Sequence, residues 1–418
     1  MKKVREGYKK TLAGEIPEDW WYEELNKLVD KITDGTHKTP TYTESGIPFL
    51  RVTDIQKSEI DWSNVKYISQ QEHLELIKRC NPEIGDILYS KNGTIGIPKI
   101  IDWDNEFSIF VSLCLIKMKK QNSYISNKYL EQFLKSDSCM RQIRLRAKQG
   151  TVTNLHLEEI RELIIPIPTI KEQEKIASIL STVDEQIDNV DALIEKNKEL
   201  KKGLMQTLLT KGIGHTKFKK TEIGEIPEEW QNESLGDMVN FEGGTQPPKK
   251  YFSNECLDGM IRLIQIRDYK SDKFKVYVPK ELCRRFCDKS DVMIGRYGPP
   301  IFQILRGLEG AYNVALIKAT PINERLDREY LYYFLNNEKL FNLIDSLSQR
   351  TSGQTGIDME VLKAYKIPIP PKKEQEKIVL TLSQIDKRIE NYENRNKKLE
   401  ELKKGLMQQL LTGKIRTI

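Results

Sequence analysis

The chain has 418 residues, of which 38% are hydrophobic and 31% are charged, and its net charge is +6 at pH 7. These proportions exclude a disordered polypeptide and predict a soluble protein with two or three cored domains. The basic N-terminus lacks the apolar segment of a signal peptide, and the longest apolar stretches are too short to cross a bilayer. We therefore expect a cytoplasmic protein with no membrane partner. The mild positive charge is compatible with nucleic acid binding without establishing it.

The sequence contains two copies of one plan. Residues 8–20, YKKTLAGEIPEDW, return as residues 218–230, FKKTEIGEIPEEW. Residues 165–210, which begin IPIPTIKEQEKI and end KKGLMQTLLT, return without a gap as residues 367–412. Each copy therefore has a constant arm, a variable stretch and a constant helical block, which is the pattern of an internally duplicated protein.

The repeats divide the chain into six predicted segments. The constant arms should form turns that seat Trp20 and Trp230 against a core, rather than contact a ligand directly. The segments are an N-terminal arm (1–20), a first variable domain (21–164), a first spacer helix (165–215), a linker that repeats the arm (216–230), a second variable domain (231–366) and a second spacer helix (367–418).

The two variable domains are predicted to share a mixed α/β (α+β) fold. In the first domain, β-branched runs bounded by turn signals predict strands, and two apolar periodic stretches predict helices. The second domain repeats this outline with different residues, so the fold should be common while the surface differs. The predicted elements are Pro48–Val52, Ile87–Tyr89, Phe107–Ile116, Asn127–Ala147 and Asn154–Leu163 in the first domain, and Arg262–Ile266, Asp291–Ile294 and Tyr330–Leu347 in the second.

The repeated block follows a heptad pattern and predicts a helix of 42 residues from Thr169 to Thr210, roughly 60 Å long. A seam of this kind requires a partner helix, so we predict that the two spacer helices form an antiparallel coiled coil about a pseudo-twofold axis. In that pairing Asn197 and Asn396 would meet and fix the register; the alternative is that both face solvent. The seams of the first copy are Ile176, Val183, Val190, Asn197 and Leu204, and Leu180, Ile187, Ile194, Lys201 and Leu208.

Motifs for catalysis and cofactor binding are missing from the sequence. It contains no Walker A loop, no GxGxxG, no HExxH and no NPPY-like motif of an amino-methyltransferase. The four histidines are scattered, and no candidate catalytic acid or nucleophile recurs in the second copy. We therefore expect a non-catalytic chain with no metal site and no cofactor of its own.

Two divergent α/β regions with IPIPxxKEQEKI and KKGLMQxLLT each present twice resemble the specificity subunit of a type I DNA restriction-modification system. The resemblance covers the whole chain. It implies that each variable region is a target-recognition domain that reads one half of an asymmetric split sequence in double-stranded DNA. It also implies that the helices space these domains and bind modification subunits, for which we expect two copies.

The same resemblance places the chemistry on partner subunits. Adenine-N6 methylation with S-adenosylmethionine would belong to the modification subunits. Translocation and cleavage with ATP and Mg would belong to restriction subunits.

Candidate DNA contacts lie on matched glycine turns and strand ends of the two variable domains. Their hydrogen-bonding side chains differ between the domains, as expected of two readers of different sequences. For each residue, a solvated turn is the alternative interpretation. The first domain contributes Thr36, His37, Lys38, Thr39, Arg51, Lys91, Asn92 and Thr94, and the second contributes Thr245, Gln246, Lys249, Gln265, Arg267, Arg296 and Tyr297.

Identical residues at the start of the two spacer helices lie outside the heptad seams. Because seam packing does not account for their identity, we predict that they form a docking surface for partner subunits. An exposed helix start retained since a recent duplication is the alternative. These residues are Lys171, Glu172 and Gln173 in the first copy and Lys373, Glu374 and Gln375 in the second.

Two further functions fit the same repeats. One is the recognition subunit of a bipartite type II restriction-modification system, and the other is a coiled-coil adaptor whose two heads bind proteins. Steep salt dependence of DNA binding would argue against the adaptor. The sequence does not specify the target bases or the length of the gap between them.

Overall fold

The computed structural model describes residues 4–57, 59–121, 123–146, 154–348 and 356–417. The chain divides into two units. The first unit contains residues Met1–Ala192 and Tyr392–Ile418, and the second contains Leu193–Asn391. Each unit thus combines one variable domain with part of each long helix. Among the described residues, no helix has the length and apolar composition needed to cross a membrane.

Within its described residues, the first copy of the repeat contains twelve strands and six α-helices. The strands are β1 (Tyr8–Thr11), β2 (Gly14–Pro17), β3 (Trp21–Glu24), β4 (Lys31–Asp34), β5 (Tyr42–Thr43), β6 (Ile47–Leu50), β7 (Lys66–Ile68), β8 (Ile87–Ser90), β9 (Pro98–Ile100), β10 (Ser108–Ile109), β11 (Leu113–Lys117) and β12 (Ile164–Ile167). The helices are α1 (Leu25–Leu28), α2 (Gln70–Ile77), α3 (Asn127–Leu134), α4 (Asp137–Arg146), α5 (Leu157–Arg161) and the long α6 (Ile170–Lys211).

Two four-stranded sheets build the first variable domain. One is antiparallel, with the order β4-β11-β8-β9. The other has the order β10-β6-β7-β5 and is mixed, because β10 pairs in parallel with β6 whereas β6 and β7 are antiparallel. Alternate residues of β11 enter two different hydrophobic cores, Cys114 on one face and Leu115 on the other. The central strand therefore joins the two cores of the domain.

The second copy repeats this organisation. Its strands are β13 (Phe218–Thr221), β14 (Gly224–Pro227), β15 (Gln231–Ser234), β16 (Val239–Gly243), β17 (Met260–Ile264), β18 (Tyr277–Pro279), β19 (Phe286–Cys287), β20 (Val292–Gly295), β21 (Gln303–Leu305), β22 (Gly310–Tyr312), β23 (Leu316–Pro321) and β24 (Lys366–Ile369). Its helices are α7 (Leu235–Met238), α8 (Arg328–Leu335), α9 (Glu338–Ser348), α10 (Met359–Ala364) and the long α11 (Lys372–Leu410).

The two sheets of the second variable domain follow those of the first, except that the fourth strand of the mixed sheet, β19, pairs with β22, whereas in the first domain β5 pairs with β7. One is antiparallel, with the order β16-β23-β20-β21. The other has the order β18-β17-β22-β19 and is again mixed, because β17 and β22 pair in parallel. In both copies the IPIP segment forms a strand that pairs with the strand after the conserved tryptophan, as β12 with β3 and β24 with β15. The α/β (α+β) prediction is confirmed for both domains.

Three predicted elements are each divided in the structure, and one of them is the helix predicted at Tyr330–Leu347, which consists of α8 and α9. The single strand predicted at Phe107–Ile116 is wrong, because the chain leaves one sheet after β10 and enters the other at β11. A continuous apolar run is compatible with either arrangement, so the sequence gives no sign of the change of sheet. The helix predicted at Asn127–Ala147 consists of α3 and α4, and Ala147 lies outside the described residues.

The long helices run antiparallel within each unit. In the first unit, Lys403 of α11 forms an ion pair with Asp184 of α6, and the Asn396 amide donates to Asp191 Oδ1 over 2.6 Å. In the second unit, Lys201 Nζ lies 2.6 Å from Asp386 Oδ1, while Leu209 shares a hydrophobic core with the early residues of α11. These contacts confirm the predicted antiparallel coiled coil.

The register is set by lysine–aspartate pairs, which replace the predicted pairing of Asn197 with Asn396. The Asn197 amide instead donates to the Leu193 carbonyl of its own helix over 2.7 Å. In each unit, a side chain of the variable domain also donates a hydrogen bond to the aspartate of the pair. Gln132 donates to Asp184 over 2.9 Å in the first unit, and Tyr333 donates to Asp386 over 2.7 Å in the second. Burial raises the pKa of Asp184, but Lys135, Gln132 and Lys403 together hold it below its ordinary value.

A buried tryptophan–glutamate hydrogen bond anchors the start of each long helix. Trp20 is 1% exposed, and its Nε1 donates to Glu172 Oε2 over 3.2 Å. Arg416, which follows α11, donates to Glu172 Oε1 over 2.8 Å and also pairs with Asp19. The end of one repeat is thereby bound to the beginning of the other, within the first unit.

The second unit builds the same anchor with a histidine in place of the arginine. Trp230 is fully buried, and its Nε1 donates to Glu374 Oε2 over 3.0 Å. His215 Nε2 lies 2.8 Å from Glu374 Oε1, in the place that Arg416 takes beside Glu172. The prediction that the two tryptophans seat against a core is confirmed.

Four of the six residues predicted to form a docking surface serve these anchors and the cores instead. Glu172, Gln173 and Gln375 are buried, and Glu374 is largely covered. Gln173 Nε2 donates to the carbonyls of Tyr124 and Pro168, and its Oε1 accepts the Ser126 N–H. Gln375 repeats all three bonds in the second unit. Their identity therefore reflects internal packing, while Lys171 and Lys373 are exposed and stay a prediction.

The anchor predicts that replacement of Glu172 by Gln destabilises the first unit. The amide nitrogen would face the donors of Arg416, and loss of a largely buried ion pair costs about 2 kcal/mol or more. We expect a lower midpoint in denaturant unfolding of the full chain for Glu172→Gln. The matched control is Glu174→Gln, because Glu174 is exposed on the same turn. Equal midpoints for the two variants would contradict the role of the anchor.

Candidate nucleic-acid interface

The three loops that carry the predicted contacts of the first domain begin where β4, β6 and β8 end. Gly35 follows β4, Arg51 follows β6 and Lys91 follows β8. Between β10 and β11 the chain forms a tight connection at residues Phe110–Ser112, which we call the first crossing turn. Its counterpart, the second crossing turn, is Asn313–Ala315 between β22 and β23.

Backbone hydrogen bonds gather all three loops around the first crossing turn. The turn is closed by the Leu113 N–H, which donates to the Phe110 carbonyl over 2.9 Å. Each neighbouring segment contributes at least one further bond to the turn or to the strands that it joins. These bonds are Thr36 N to Ile109 O (3.1 Å), Gly35 N to Leu113 O (3.3 Å), Phe110 N to Leu50 O (3.0 Å) and Lys91 N to Ser112 O (2.9 Å).

The second crossing turn has the same set of backbone bonds. It is closed by the Leu316 N–H, which donates to the Asn313 carbonyl over 3.0 Å. The remaining bonds are Thr245 N to Tyr312 O (3.1 Å), Gly244 N to Leu316 O (2.9 Å), Asn313 N to Ile264 O (3.1 Å) and Arg296 N to Ala315 O (2.8 Å). The two domains therefore hold their loops in one backbone arrangement and differ in side chains.

A glycine is required where the first loop passes each crossing turn. A Cβ atom on Gly35 would lie 2.0 Å from the Ile109 carbonyl oxygen, and one on Gly244 would lie 2.0 Å from the Asn313 carbonyl oxygen. Backbone atoms cannot yield as a flexible side chain can, so any larger residue would displace the loop.

The charged side chains beside the crossing turn differ between the two domains. In the first, the buried carboxylate of Asp34 pairs with Lys91 Nζ at 3.2 Å and His37 Nε2 at 3.1 Å, and also with Arg79. Lys91 is itself buried, so the prediction that its side chain is available for DNA is wrong: its charge is neutralised inside the domain. Asp34 lies far from Lys91 in the sequence, which is why the pairing was not foreseen.

No carboxylate occupies the equivalent position in the second domain, because Gly243 precedes Gly244 there. Arg296, the counterpart of Lys91, is half-buried and stacks on Tyr297, with its guanidinium carbon 5.5 Å from the ring centre. Its Nε has no hydrogen-bond partner in the described part of the chain. Among the described residues, Arg296 thus forms no ion pair with a carboxylate, whereas Lys91 is paired with Asp34.

In both domains an aspartate side chain binds the backbone of the loop that follows one strand, β6 in the first domain and β17 in the second. Asp54 Oδ2 accepts the Arg51 N–H over 2.7 Å and also binds the Arg51 guanidinium. Asp268 Oδ2 accepts the Gln265 N–H over 2.9 Å, and burial raises the pKa of Asp268. The caps fix the direction in which Arg51 and Gln265 leave the sheet.

All fourteen of the other predicted contacts are exposed or half-buried. Their contact with DNA stays a prediction. The exposed residues are His37, Lys38, Thr39, Thr94, Gln246, Lys249, Arg267 and Tyr297, and the half-buried ones are Thr36, Arg51, Asn92, Thr245, Gln265 and Arg296.

The crossing turns themselves were missed by the sequence analysis. The single strand predicted at Phe107–Ile116 runs through the first crossing turn. From the sequence, no role is predicted for the second crossing turn. The available signal was the recurrence of Val-x-Leu, as Val111 with Leu113 and Val314 with Leu316, at matched places in otherwise divergent domains.

Comparison with known proteins gives a consistent set of matches. A family model described as "Type I restriction modification DNA specificity domain" matches residues 17–201 and again residues 227–401. The putative type I restriction enzyme MjaX specificity subunit of Methanocaldococcus jannaschii is 32% identical, over 98% of this chain and 97% of the relative. The EcoKI specificity subunit of Escherichia coli is 23% identical, over 89% of this chain and 83% of the relative.

Solved structures show the same fold. The crystal structure of the S subunit of a type I restriction-modification system from M. genitalium superposes with a TM-score of 0.58 and 17% identity, over 98% of this chain and 97% of that chain. A structure from work on complex assembly and conformational transition of the type I system gives a TM-score of 0.54 and 18% identity, over 96% and 99%.

The close approach at Gly244 predicts a local effect of replacement by Ala. The Asn313 carbonyl must move away, so the Gly244 and Thr245 amides should lose their bonds and exchange hydrogen at least about tenfold faster. Peptide-level hydrogen exchange would measure this. The control is Gly243→Ala, since a Cβ atom on Gly243 meets nothing within 4 Å. Unchanged protection in Gly244→Ala would contradict the steric argument.

Proposed function

The chain belongs to the type I restriction-modification DNA specificity family, and from this premise we propose that it reads an asymmetric bipartite DNA target with a fixed gap. Its two variable domains are target-recognition domains. Each would read one half of the target, and the helical frame would set the distance between the halves. The chain itself would carry out no catalytic step and hold no cofactor.

One observation carries this proposal: the two crossing turns share their backbone hydrogen bonds while the surrounding side chains differ. Side chains that donate and accept hydrogen bonds discriminate base edges in the major groove, whereas a constant backbone does not. His37 and Lys38 in the first domain correspond to Gln246 and Pro247 in the second. Different side chains on the same backbone arrangement support two different half-sites, and hence an asymmetric target.

The long helices support a fixed gap. A lysine–aspartate pair in each unit sets the antiparallel register, and a side chain of the recognition domain bonds to the same aspartate. Each recognition domain is therefore attached to the helices at a defined position. Rigid attachment of two DNA-binding modules defines the spacing of their half-sites.

We assign the chemistry of the system to partner subunits. Two modification subunits, one for each repeat, would methylate adenine N6 with S-adenosylmethionine. Restriction subunits would translocate and cleave DNA with ATP and Mg. Lys171 and Lys373, exposed at equivalent helix starts, are the remaining candidates for contact with these partners.

Methylome sequencing of the host with and without this gene tests the proposal. The expected result is a bipartite adenine-methylated sequence that disappears with the gene. Recovery of a translocating restriction subunit with the tagged chain would separate this system from a bipartite type II system. Unchanged methylation, together with DNA binding that is insensitive to salt, would favour the protein adaptor instead.

The helical frame predicts that a matched insertion changes only the gap. Seven residues added to α6 after Ala192 and seven added to α11 after Glu393 preserve both heptad seams and lengthen the pair by roughly 10 Å. At about 3.4 Å per base pair, the gap should grow by about three base pairs while both half-sites stay the same. Methylome sequencing of a host that expresses the variant measures the gap.

Insertion of seven residues in α6 alone is the matched control. It shifts one helix against the other, so the lysine–aspartate pairs of the two units cannot both form. We expect this variant to lose methylation. An unchanged gap in the double insertion would contradict the spacing role of the helices.

A further inference from the structure

A valine occupies the middle of each crossing turn. Val314 is 48% exposed and Val111 is half-buried. Their immediate neighbours differ, with Phe110 and Ser112 in the first turn and Asn313 and Ala315 in the second. The valine is thus the residue that the two turns have in common.

Backbone bonds on both sides of each valine fix its position. Before Val314, the Asn313 N–H donates to the Ile264 carbonyl at 3.1 Å, and after it the Ala315 carbonyl accepts the Arg296 N–H at 2.8 Å. Val111 has an additional bond, since its own N–H donates to the Thr36 carbonyl at 3.0 Å. Each valine therefore stands between the loops that carry the polar contact residues.

Core packing does not account for these valines. Neither belongs to the hydrophobic clusters formed by the described residues of its unit. A β-branched side chain has few rotamers, so it presents a stiff apolar surface. Such a surface, surrounded by hydrogen-bonding side chains, complements the one apolar group on a base edge in the major groove, the C5-methyl of thymine.

We propose that Val111 and Val314 each contact a thymine methyl group in the half-site of their own domain and so determine specificity for that base. The inference rests on the proposed function, because it requires that the crossing turns face the major groove. It adds an apolar contact to the polar readers and identifies thymine as the base that is read.

Replacement of single thymines by deoxyuridine tests the contact, because deoxyuridine lacks only the methyl group. The experiment measures how tightly the full chain, together with its modification subunits, binds DNA duplexes at one fixed salt concentration. The duplexes carry the target sequence identified by methylome sequencing. At one thymine of the second half-site, deoxyuridine should weaken binding by the wild-type complex roughly three- to tenfold. For Val314→Ala, thymine and deoxyuridine at that position should bind equally.

Matched variants keep the test decisive. Val111→Ala should respond to the second half-site as the wild type does and lose sensitivity only in the first. Val314→Thr keeps the shape and the γ-methyl group, so it should retain part of the preference for thymine, and it replaces the alanine variant if that one fails to fold. An unchanged preference for thymine in Val314→Ala, or no sensitive thymine in the second half-site, would overturn the inference for Val314.

Different results would contradict the valine contact and the proposed sequence recognition. If the wild-type complex binds the target more tightly than a scrambled duplex but is indifferent to deoxyuridine, the valine contact is wrong and sequence recognition stands. If it does not distinguish target from scrambled duplex, both are wrong.

Discussion

The hydrogen bond from a buried tryptophan to a glutamate is the interaction on which both copies depend. Glu172 and Glu374 are removed from water at the start of the long helices, where an unpartnered carboxylate would be costly. Each is satisfied by a tryptophan of the adjacent arm and by a side chain from the end of the other repeat, Arg416 or His215. Each anchor thus ties together three segments that are distant in sequence. The tryptophan of GEIPExW and the first glutamate of KEQEK are therefore the two sides of one contact.

The crossing turns explain how a constant frame can carry variable readers. Their bonds join backbone groups, so they place few demands on side chains apart from the glycines at Gly35 and Gly244. Residues around the turns can therefore diverge without loss of the loop arrangement. Asp34 is an example: its ion pair neutralises Lys91 in the first domain, whereas no carboxylate among the described residues of the second domain pairs with Arg296. One scaffold can in this way present two different patterns of charge and hydrogen bonding.

Sequence repetition and heptad spacing were sufficient to predict the two copies, the mixed domains and the antiparallel helices, because these follow from periodic local patterns. Contacts between distant segments could not be predicted in this way. Glu172 and Gln173 lie outside the heptad seam, but the arm and the variable domain bury them from another side. Asn197 was assigned to the seam, yet its amide bonds to its own helix. The first crossing turn was hidden in an apolar run, since a change of sheet leaves no mark on hydrophobicity. Which side chains touch DNA depends on the DNA itself and stays a prediction.

The central claim is that constant segments form a frame on which each variable domain reads its own half-site. The most direct measurement is the methylome of a host whose chain carries residues 21–164 again in place of residues 231–366. If the claim is correct, the methylated target becomes an inverted repeat of the first half-site with the original gap, because the frame is unchanged and both readers are now the same. Methylation that still includes the second half-site would contradict it, since recognition would then reside outside the exchanged domain.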